Sequence, residues 1–434
     1  MNLPRFSRKT YLQNLKRISA RVRRSLSEYR YFTYLALLGP GIIAANAGNE
    51  ASGIATYSSA GAEYGYTLLW AFVPMTICFI VAQEMCVRMG VVTGQGLADL
   101  IREQFGVRWT ALVMFALLIA NTGIIIAEFV GIAQASELFG ISRYITIPIT
   151  AIVVWWLIVK GTPKRVEQAF LLMSLIFLTY IVSAFLAKPD WARVGTEFVS
   201  PSFSFESGYL FTIMALIGTT ITPFMQIFVQ SSVVEKGMDK EDYPIARADA
   251  IIGVIFANLI AFFIVVSTAA TLHTNGVQLN DAADAAQALA PVVGQYAKYL
   301  FAVGLFGASM LAMAVLPLAT AYSLSEALGF EKGLSHSFRE APIFLGIFTA
   351  LILIGATVAL IPGIPQIKLL IFTQSINGLL LPVILVAIVL LSNNREIMGD
   401  YKNSFLFNCL AWIITIIVSI LSLLLIGTTI LGIF

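Results

Sequence analysis

The carboxylate of Glu50 stands in the middle of an apolar run, where a charge needs a chemical reason. Residues 44–53 read Ala-Ala-Asn-Ala-Gly-Asn-Glu-Ala-Ser-Gly, so small and polar residues replace the larger apolar ones expected there. A carboxylate at mid-membrane depth costs about 3 kcal/mol. Glu50 could cap the second half of a broken helix, or it could be the anionic ligand of a cation, and the two roles are compatible.

A second interruption lies far along the chain, at residues 218–223, which read Gly-Thr-Thr-Ile-Thr-Pro. Pro223 removes a backbone amide and clashes with the preceding turn, so a helix is expected to break just before it. Unpaired backbone is tolerated in a membrane only where protein or a water-filled cavity surrounds it. A structural kink at Gly or Pro is the alternative for each break taken alone.

The two interruptions together could supply an all-oxygen site for a hard cation. We expect the carboxylate of Glu50, unwound carbonyls near Ala47 and Thr219, the hydroxyl of Thr222 and water to form it. Neither break contains a thiolate, an imidazole or a thioether. Such ligands suit Mg²⁺, Ca²⁺ or Mn²⁺, and Mg²⁺ usually keeps several of its waters. Asn46 and Asn49 could line the ion path, although pairing with unwound backbone explains them as well.

The elements that must position these residues are transmembrane helices. Of the 434 residues, 58% are hydrophobic and only 12% are charged, whereas a soluble protein carries roughly 25% charged residues. Apolar runs predict eleven spans, at about residues 33–59, 66–90, 109–134, 144–160, 168–187, 208–234, 249–272, 297–325, 341–361, 366–392 and 404–431. The fold class is therefore an all-α polytopic membrane protein with no room for a separate catalytic domain.

The distribution of basic residues predicts the orientation. The chain opens with a basic segment, residues 1–31, that should stay in the cytoplasm, and eleven spans then leave 22 of the 27 Lys and Arg residues on the cytoplasmic side. We expect a multi-pass monomer in the plasma membrane whose partners are the lipid bilayer and an ion, without nucleic acid. No arrangement of nucleophile and base is visible, so we do not expect an enzyme, and no cofactor is expected.

The two breaks fall in spans one and six, which divides the spans into two sets of five. Discontinuous helices at corresponding positions are typical of inverted-repeat transporters, which bind their substrate near the membrane midplane between the breaks. We accordingly predict a first repeat at residues 32–203, a second at residues 204–395 and an additional C-terminal span at residues 396–434.

At these residues the sequence resembles the Nramp family of divalent metal transporters. The match needs no gap from residue 39 to residue 70: Gly-Pro-Gly at 39–41, the four-residue site motif at 50–53, then Gly-Tyr at 65–66 and Leu-Leu-Trp at 68–70. Residues 88–94, 127–131, 372–374 and 381–382 extend the similarity over nearly the whole chain. The resemblance implies a LeuT-like inverted 5+5 repeat plus one C-terminal span. It also implies that Gln374 lends an amide oxygen to the ion, unless that side chain only bonds a neighbouring span.

The departures from the family motifs indicate which divalent cation the site prefers. Where the family has Asp-Pro-Gly-Asn, this chain has Glu-Ala-Ser-Gly, so Gly53 replaces an asparagine ligand; where the family has Met-Pro-His-Asn, Thr222 replaces the soft methionine ligand. Loss of the thioether removes a filter against Mg²⁺, and loss of the amide leaves a roomier pocket for a partly hydrated ion. Both changes resemble the divergent Nramp-related magnesium transporters.

Proton coupling should also differ. Proton-coupled family members carry an Asp and a Glu three residues apart in span three, with histidines in span six; here Ile125 takes the Asp position, Glu128 remains, and span six has no His. We expect uncoupled, potential-driven uptake of Mg²⁺, and also of Mn²⁺, by alternating access. Glu128 could be a structural acid or a residual proton site. The alternatives are proton-coupled Mn²⁺ or Fe²⁺ transport, transport of a small organic solute, and a sensor without transport.

Overall fold

The computed structural model describes residues 39–204, 206–276, 297–361 and 366–430, and in this part of the chain every regular element is helical. The predicted basic segment, residues 1–31, lies outside the described residues. The α-helices are α1 Pro40–Asn46, α2 Ala51–Tyr64, α3 Phe72–Thr93, α4 Leu97–Phe105, α5 Val107–Leu138, α6 Arg143–Lys160, α7 Pro163–Ser174, α8 Leu178–Leu186, α9 Trp191–Val199, α10 Ser207–Thr220, α11 Pro223–Glu235, α12 Tyr243–Thr271, α13 Ala297–Leu328, α14 Pro342–Ala359, α15 Gln366–Asn393, α16 Arg395–Met398 and α17 Phe405–Ile430.

Ten helical segments among the described residues are long and apolar enough to cross a membrane. The predicted first span is not among them because it consists of two short helices, α1 and α2. The remaining spans, two to eleven, are α3, α5, α6, α7 with α8, α10 with α11, α12, α13, α14, α15 and α17. The prediction of an all-α polytopic membrane protein is confirmed.

Both predicted interruptions are present, and each has a local cause. Pro40 stands at the first position of α1, where its missing amide does no harm; α1 ends at Asn46, and the chain is extended at Glu50 before α2 begins. In span six α10 ends at Thr220, and Thr222 is extended with φ −77° and ψ 143°. A residue before proline avoids helical geometry, and Pro223 then begins α11.

The contacts between spans in the first half correspond to contacts in the second half. Span one lies against span seven, and span six lies against span two; span one also contacts span five where span six contacts span ten. Exchange of one with six, two with seven and five with ten is the relation expected of an inverted repeat. The repeat boundaries at residues 32–203 and 204–395 stay a prediction.

Candidate metal-transport site

The two broken helices meet inside the bundle. A Cβ atom on Gly53 would lie 3.1 Å from Cγ2 of Thr219, so the start of α2 contacts the end of α10. The hydroxyl groups of Tyr57 and Thr220 form a hydrogen bond of 3.1 Å between the same two helices. The structure therefore brings the span-one and span-six residues predicted from sequence into one region.

Glu50 lies at the centre of this region and is fully buried. It is the last residue of the span-one break and has extended geometry. The Ser52 hydroxyl donates a hydrogen bond of 3.0 Å to Glu50 Oε1, and the Gln374 amide donates to the same oxygen. Gln374 Nε2 also lies 2.7 Å from the Ser52 hydroxyl oxygen. Gln374 therefore bonds span one through its amide nitrogen, which is the alternative considered for it, and a role of its amide oxygen as an ion ligand stays a prediction.

Four buried oxygen atoms in or beside the two breaks and on Gln374 have no hydrogen-bond partner among the described residues. They are Oε2 of Glu50, Oγ1 of Thr219, Oγ1 of Thr222 and Oε1 of Gln374. All four side chains are fully buried. Buried polar atoms normally have partners, and leaving one unpaired costs about 1–3 kcal/mol. These oxygens are the groups that a bound cation and its waters would satisfy.

The site carries little charge. In the described part of the chain, no group of three or more His, Cys, Asp or Glu side chains is placed to hold a metal ion. Glu50 and Glu128 are two buried acids of this region, and Glu128 bonds the Ala51 amide, which leaves Glu50 as the candidate anionic ligand.

The capping role considered for Glu50 is performed by another residue. Glu50 occupies the N-cap position of α2, but its side chain makes no capping hydrogen bond. Glu128, fully buried on α5, instead accepts a hydrogen bond of 3.1 Å from the Ala51 amide at the start of α2. A carboxylate is favourable at a helix N-terminus because the amides there are unpaired and the dipole is positive. Glu128 thereby leaves Glu50 available for a ligand.

A thioether lies close to the span-one break, although neither break contains one. Met225, on the first turn of α11, is fully buried and reaches the span-one break. Its Cε lies 2.0 Å and its Sδ 3.1 Å from the position that a Cβ on Gly48 would take. The side chain fills the space that glycine leaves open. A sulfur atom therefore lies beside the break that carries Glu50.

The expected extra room at Gly53 is also absent. A Cβ there would lie 2.6 Å from the Gly48 carbonyl oxygen, a distance that real Cβ atoms do not show. The span-one break turns back over Gly53 and occupies the space that an asparagine side chain would need. In this backbone the glycine at position 53 therefore leaves no pocket of side-chain size.

The remaining predicted residues fall around the break. Ala47 is buried and ends α1. The Asn46 side chain donates to the Ile42 carbonyl at 2.8 Å, and the Asn49 side chain donates to the Ala257 carbonyl at 3.0 Å. Backbone pairing therefore accounts for the NH₂ groups of both asparagines, whereas Oδ1 of Asn46 has no partner among the described residues.

Sequence reasoning missed Ser52 and the capping role of Glu128. Ser52 lies inside the four-residue motif, and its position beside Glu50 was a usable signal. The Glu128 contact joins residues 77 positions apart, so no local pattern could reveal it.

Comparison with known proteins gives one consistent result. A family model described as "Natural resistance-associated macrophage protein-like" (Nramp) matches residues 41–428. The chain is 29% identical over 400 residues to a divalent metal cation transporter MntH of Deinococcus radiodurans, covering 88% of each chain. It is 26% identical over 421 residues to a protein of the same name from Klebsiella pneumoniae, covering 94% of this chain and 98% of that one.

Solved structures show the same fold. A crystal structure of the Eremococcus coleocola manganese transporter has a TM-score of 0.77 at 20% identity and covers 93% of this chain and 88% of that chain. A nucleobase-cation-symport-1 family transporter, Mhp1, has a TM-score of 0.56 at 15% identity, covering 90% of this chain and 92% of that one.

Proposed function

The chain belongs to the Nramp family, and from that premise we propose that it imports divalent cations, chiefly Mg²⁺ and also Mn²⁺, by alternating access. Its relatives are divalent metal cation transporters, so the metal is a transported substrate and the protein is not an enzyme. One observation carries the proposal. Glu50 is a buried carboxylate in a broken helix, surrounded by buried oxygens that lack partners.

The preference for Mg²⁺ rests on the hardness of these oxygens. Carboxylate, hydroxyl, amide and carbonyl oxygens are the ligands that Mg²⁺ and Mn²⁺ share. Thr222 supplies an oxygen where the family motif supplies a sulfur, which favours the harder ion. Met225 offsets part of this change, because its thioether lies near Gly48. We therefore assign Mn²⁺ as an accepted second substrate.

Uptake without proton coupling is the second part of the proposal. Ile125 is buried where proton-coupled relatives have an acid, and Glu128 is engaged as a helix cap. The broken span formed by α10 and α11 contains no histidine. A divalent cation entering down the membrane potential gains about 4.6 kcal/mol per 100 mV, which corresponds to accumulation of about 10³-fold. The potential alone can therefore drive uptake.

The protein is a multi-pass membrane protein, and its orientation and assembly are part of the proposal. We place the end of the bundle where α1 begins in the cytoplasm of a plasma-membrane protein, since 22 of the 27 basic residues then lie inside. A monomeric assembly is part of the same proposal.

Flux into proteoliposomes tests the function. With Mg²⁺ outside, a trapped Mg²⁺ dye should report influx that accelerates when valinomycin makes the interior negative. A trapped pH dye should stay silent while the ion enters. Acidification in step with Mg²⁺ would overturn uncoupled uptake. If Mn²⁺ enters while Mg²⁺ neither enters nor competes, the Mg²⁺ assignment is wrong and ordinary proton-coupled Mn²⁺ or Fe²⁺ transport takes its place.

Met225→Leu should change selectivity without reducing Mg²⁺ uptake. Leucine has a similar volume, so the space beside Gly48 stays filled, but the sulfur is lost. Competition of Cd²⁺ with Mg²⁺ should weaken about tenfold, since Cd²⁺ is the softer ion. Met214→Leu is the matched control, because Met214 is buried on α10 and contacts Gly378 rather than the break. Equal effects on Cd²⁺ in the two variants would contradict a role for the Met225 sulfur.

Transport of a small organic solute has less support. In a LeuT-like fold the substrate carboxylate would sit on half-helix N-termini. The N-terminus of α2 is already capped by Glu128, and Glu50 adds a negative charge beside it. An anionic group there would meet two buried acids.

A further inference from the structure

Asp249 binds the N-terminus of the first half-helix from a distant part of the chain. Its Oδ1 accepts a hydrogen bond of 3.0 Å from the Gly39 amide, and its Oδ2 accepts one of 2.6 Å from the Gly41 amide. Asp249 is buried near the start of α12. Pro40 has no amide to offer, so one carboxylate takes both donors that flank the proline. Charged acceptors at such amides make stronger bonds than neutral ones.

The backbones of α1 and α12 are in direct contact beside this cap. A Cβ on Gly41 would lie 2.5 Å from the Ala250 Cα, and a Cβ on Gly253 would lie 2.6 Å from the Gly41 carbonyl oxygen. Glycine at both positions is what allows this approach, as in other membrane helix pairs with small residues at the interface. The two helices therefore pack as one unit, joined by a carboxylate at the end of α1.

The second half-helix has an additional anchor. It packs on α12 as α1 does, and the Ala51 amide at the start of α2 also donates to Glu128 of α5. Each half of span one thus has its own buried carboxylate, and the two acids come from different spans. The chain between the two caps includes the break at residues 47–50, where the Asn49 side chain donates to the Ala257 carbonyl of α12.

We propose that Asp249 is a positioning residue for transport, which keeps α1 joined to α12 when the site opens and closes. Asp249 does not touch the ion; it acts by fixing α1, the helix that ends at the Ala47 carbonyl. This inference rests on the proposed function for its meaning in transport, although its geometry does not depend on which ion is carried.

The contacts of α1 on its other side fit a moving element. Ile43 of α1 lines a cleft of about 160 Å³ together with Phe170 of α7 and Phe228 of α11. The Lys236 ammonium forms an ion pair of 2.5 Å with Glu167 at the edge of this cleft. Opening of the site toward the proposed cytoplasmic side requires α1 to leave Phe170 and Phe228. The Asp249 hydrogen bonds keep α1 joined to α12 during this movement.

A cysteine reporter at Ile43 tests the coupling. Ile43→Cys is made in a background in which Cys78 and Cys409 are alanine, because these two thiols are not fully buried. Its reaction with a charged maleimide from the proposed cytoplasmic side measures how often α1 leaves the cleft. Asp249→Asn keeps one acceptor and sets an amide NH₂ against the other donor. Its reporter should react about tenfold faster, as expected when a charge-assisted hydrogen bond is lost.

Two further variants make the result decisive. Asn258→Ala is the matched control, because the Asn258 amide is buried on α12 and bonds the Thr76 hydroxyl at 2.7 Å, away from α1. Gly253→Ala separates α1 from α12 without removing the Asp249 charge, so it should also raise the maleimide reaction rate. If Asp249→Asn does not fold, the Gly253→Ala result decides whether the proposal holds. Unchanged reactivity in the folded variants, or an equal rise in Asn258→Ala, would overturn the proposal.

Transport in the same variants separates this inference from the proposed function. Asp249→Asn should lower the maximal Mg²⁺ flux at least fivefold while the Mg²⁺ concentration for half-maximal flux changes less than twofold, since no ligand is removed. A larger change in that concentration would count against a positioning role. The maleimide rate needs no ion, so absence of any divalent flux in the unmodified protein would refute the proposed function and leave the coupling test intact.

Discussion

Glu50→Gln is expected to abolish divalent cation binding while leaving the fold in place. Glutamine has the same shape, and its amide oxygen can still accept from Ser52 and Gln374. The variant loses the negative charge, and the binding affinity for a hard cation depends on the number of charged ligands. We expect the affinity for Mg²⁺ and Mn²⁺ to fall by more than about a hundredfold, the upper part of the range for lost metal-site groups. Isothermal titration of the purified protein measures this directly.

Glu326→Gln provides the matched control. Glu326 is fully buried on α13, pairs with Lys332 at 3.1 Å and accepts from the Ser231 hydroxyl at 2.7 Å. The same loss of charge there should leave the affinity within about threefold, because the residue belongs to an ion-pair cluster of its own. Wild-type affinity in Glu50→Gln would refute the site. A large loss in both variants would mean that binding responds to buried charge in general.

Most of the fold could be predicted because the membrane constrains it strongly. Backbone amides in lipid must be paired within a helix, so long apolar runs could only be spans. The breaks could also be predicted: Pro223 cannot continue α10, and Glu50 with its polar and glycine neighbours is unusual in the middle of a membrane span. The bounds of α1 and α2 were less accessible, because the end of α1 depends on contacts with α12 as well as on the local sequence.

The site could be predicted only as far as local chemistry reaches. Glu50 and Thr222 stand out because their types are costly in apolar surroundings. The contacts of Met225, Glu128 and Asp249 cannot be recognised in the sequence, because each contact joins residues that are far apart along the chain. Met225 reads as an ordinary apolar residue of α11 until the structure shows the space at Gly48. The prediction at Gly53 failed for a different reason. A missing side chain suggests extra room in the pocket, but the Gly48 carbonyl occupies that space.

Glu128 gives a pair of variants that separates a structural acid from a proton carrier. Glu128→Ala removes the acceptor of the Ala51 amide and leaves an unpaired donor at a buried helix terminus, a loss of about 1–3 kcal/mol. Because α2 then loses its anchor on α5, Mg²⁺ flux should fall at least tenfold and the melting temperature should decrease. Glu128→Gln keeps an oxygen for the same hydrogen bond and loses only the interaction of the charge with the helix dipole, typically 0.3–1 kcal/mol.

The glutamine variant therefore decides between the two roles. If Glu128 is a cap, Glu128→Gln should transport Mg²⁺ within about threefold of the unmodified protein, with the same dependence on external pH in liposome flux assays. A proton carrier behaves differently, because glutamine cannot bind and release a proton, so Gln and Ala would be equally inactive. Equal inactivation would restore Glu128 as a coupling residue and would refute uncoupled uptake together with it. Retained flux in the glutamine variant would leave the buried acid with the one task its geometry shows, which is to hold α2 in place beside the ion.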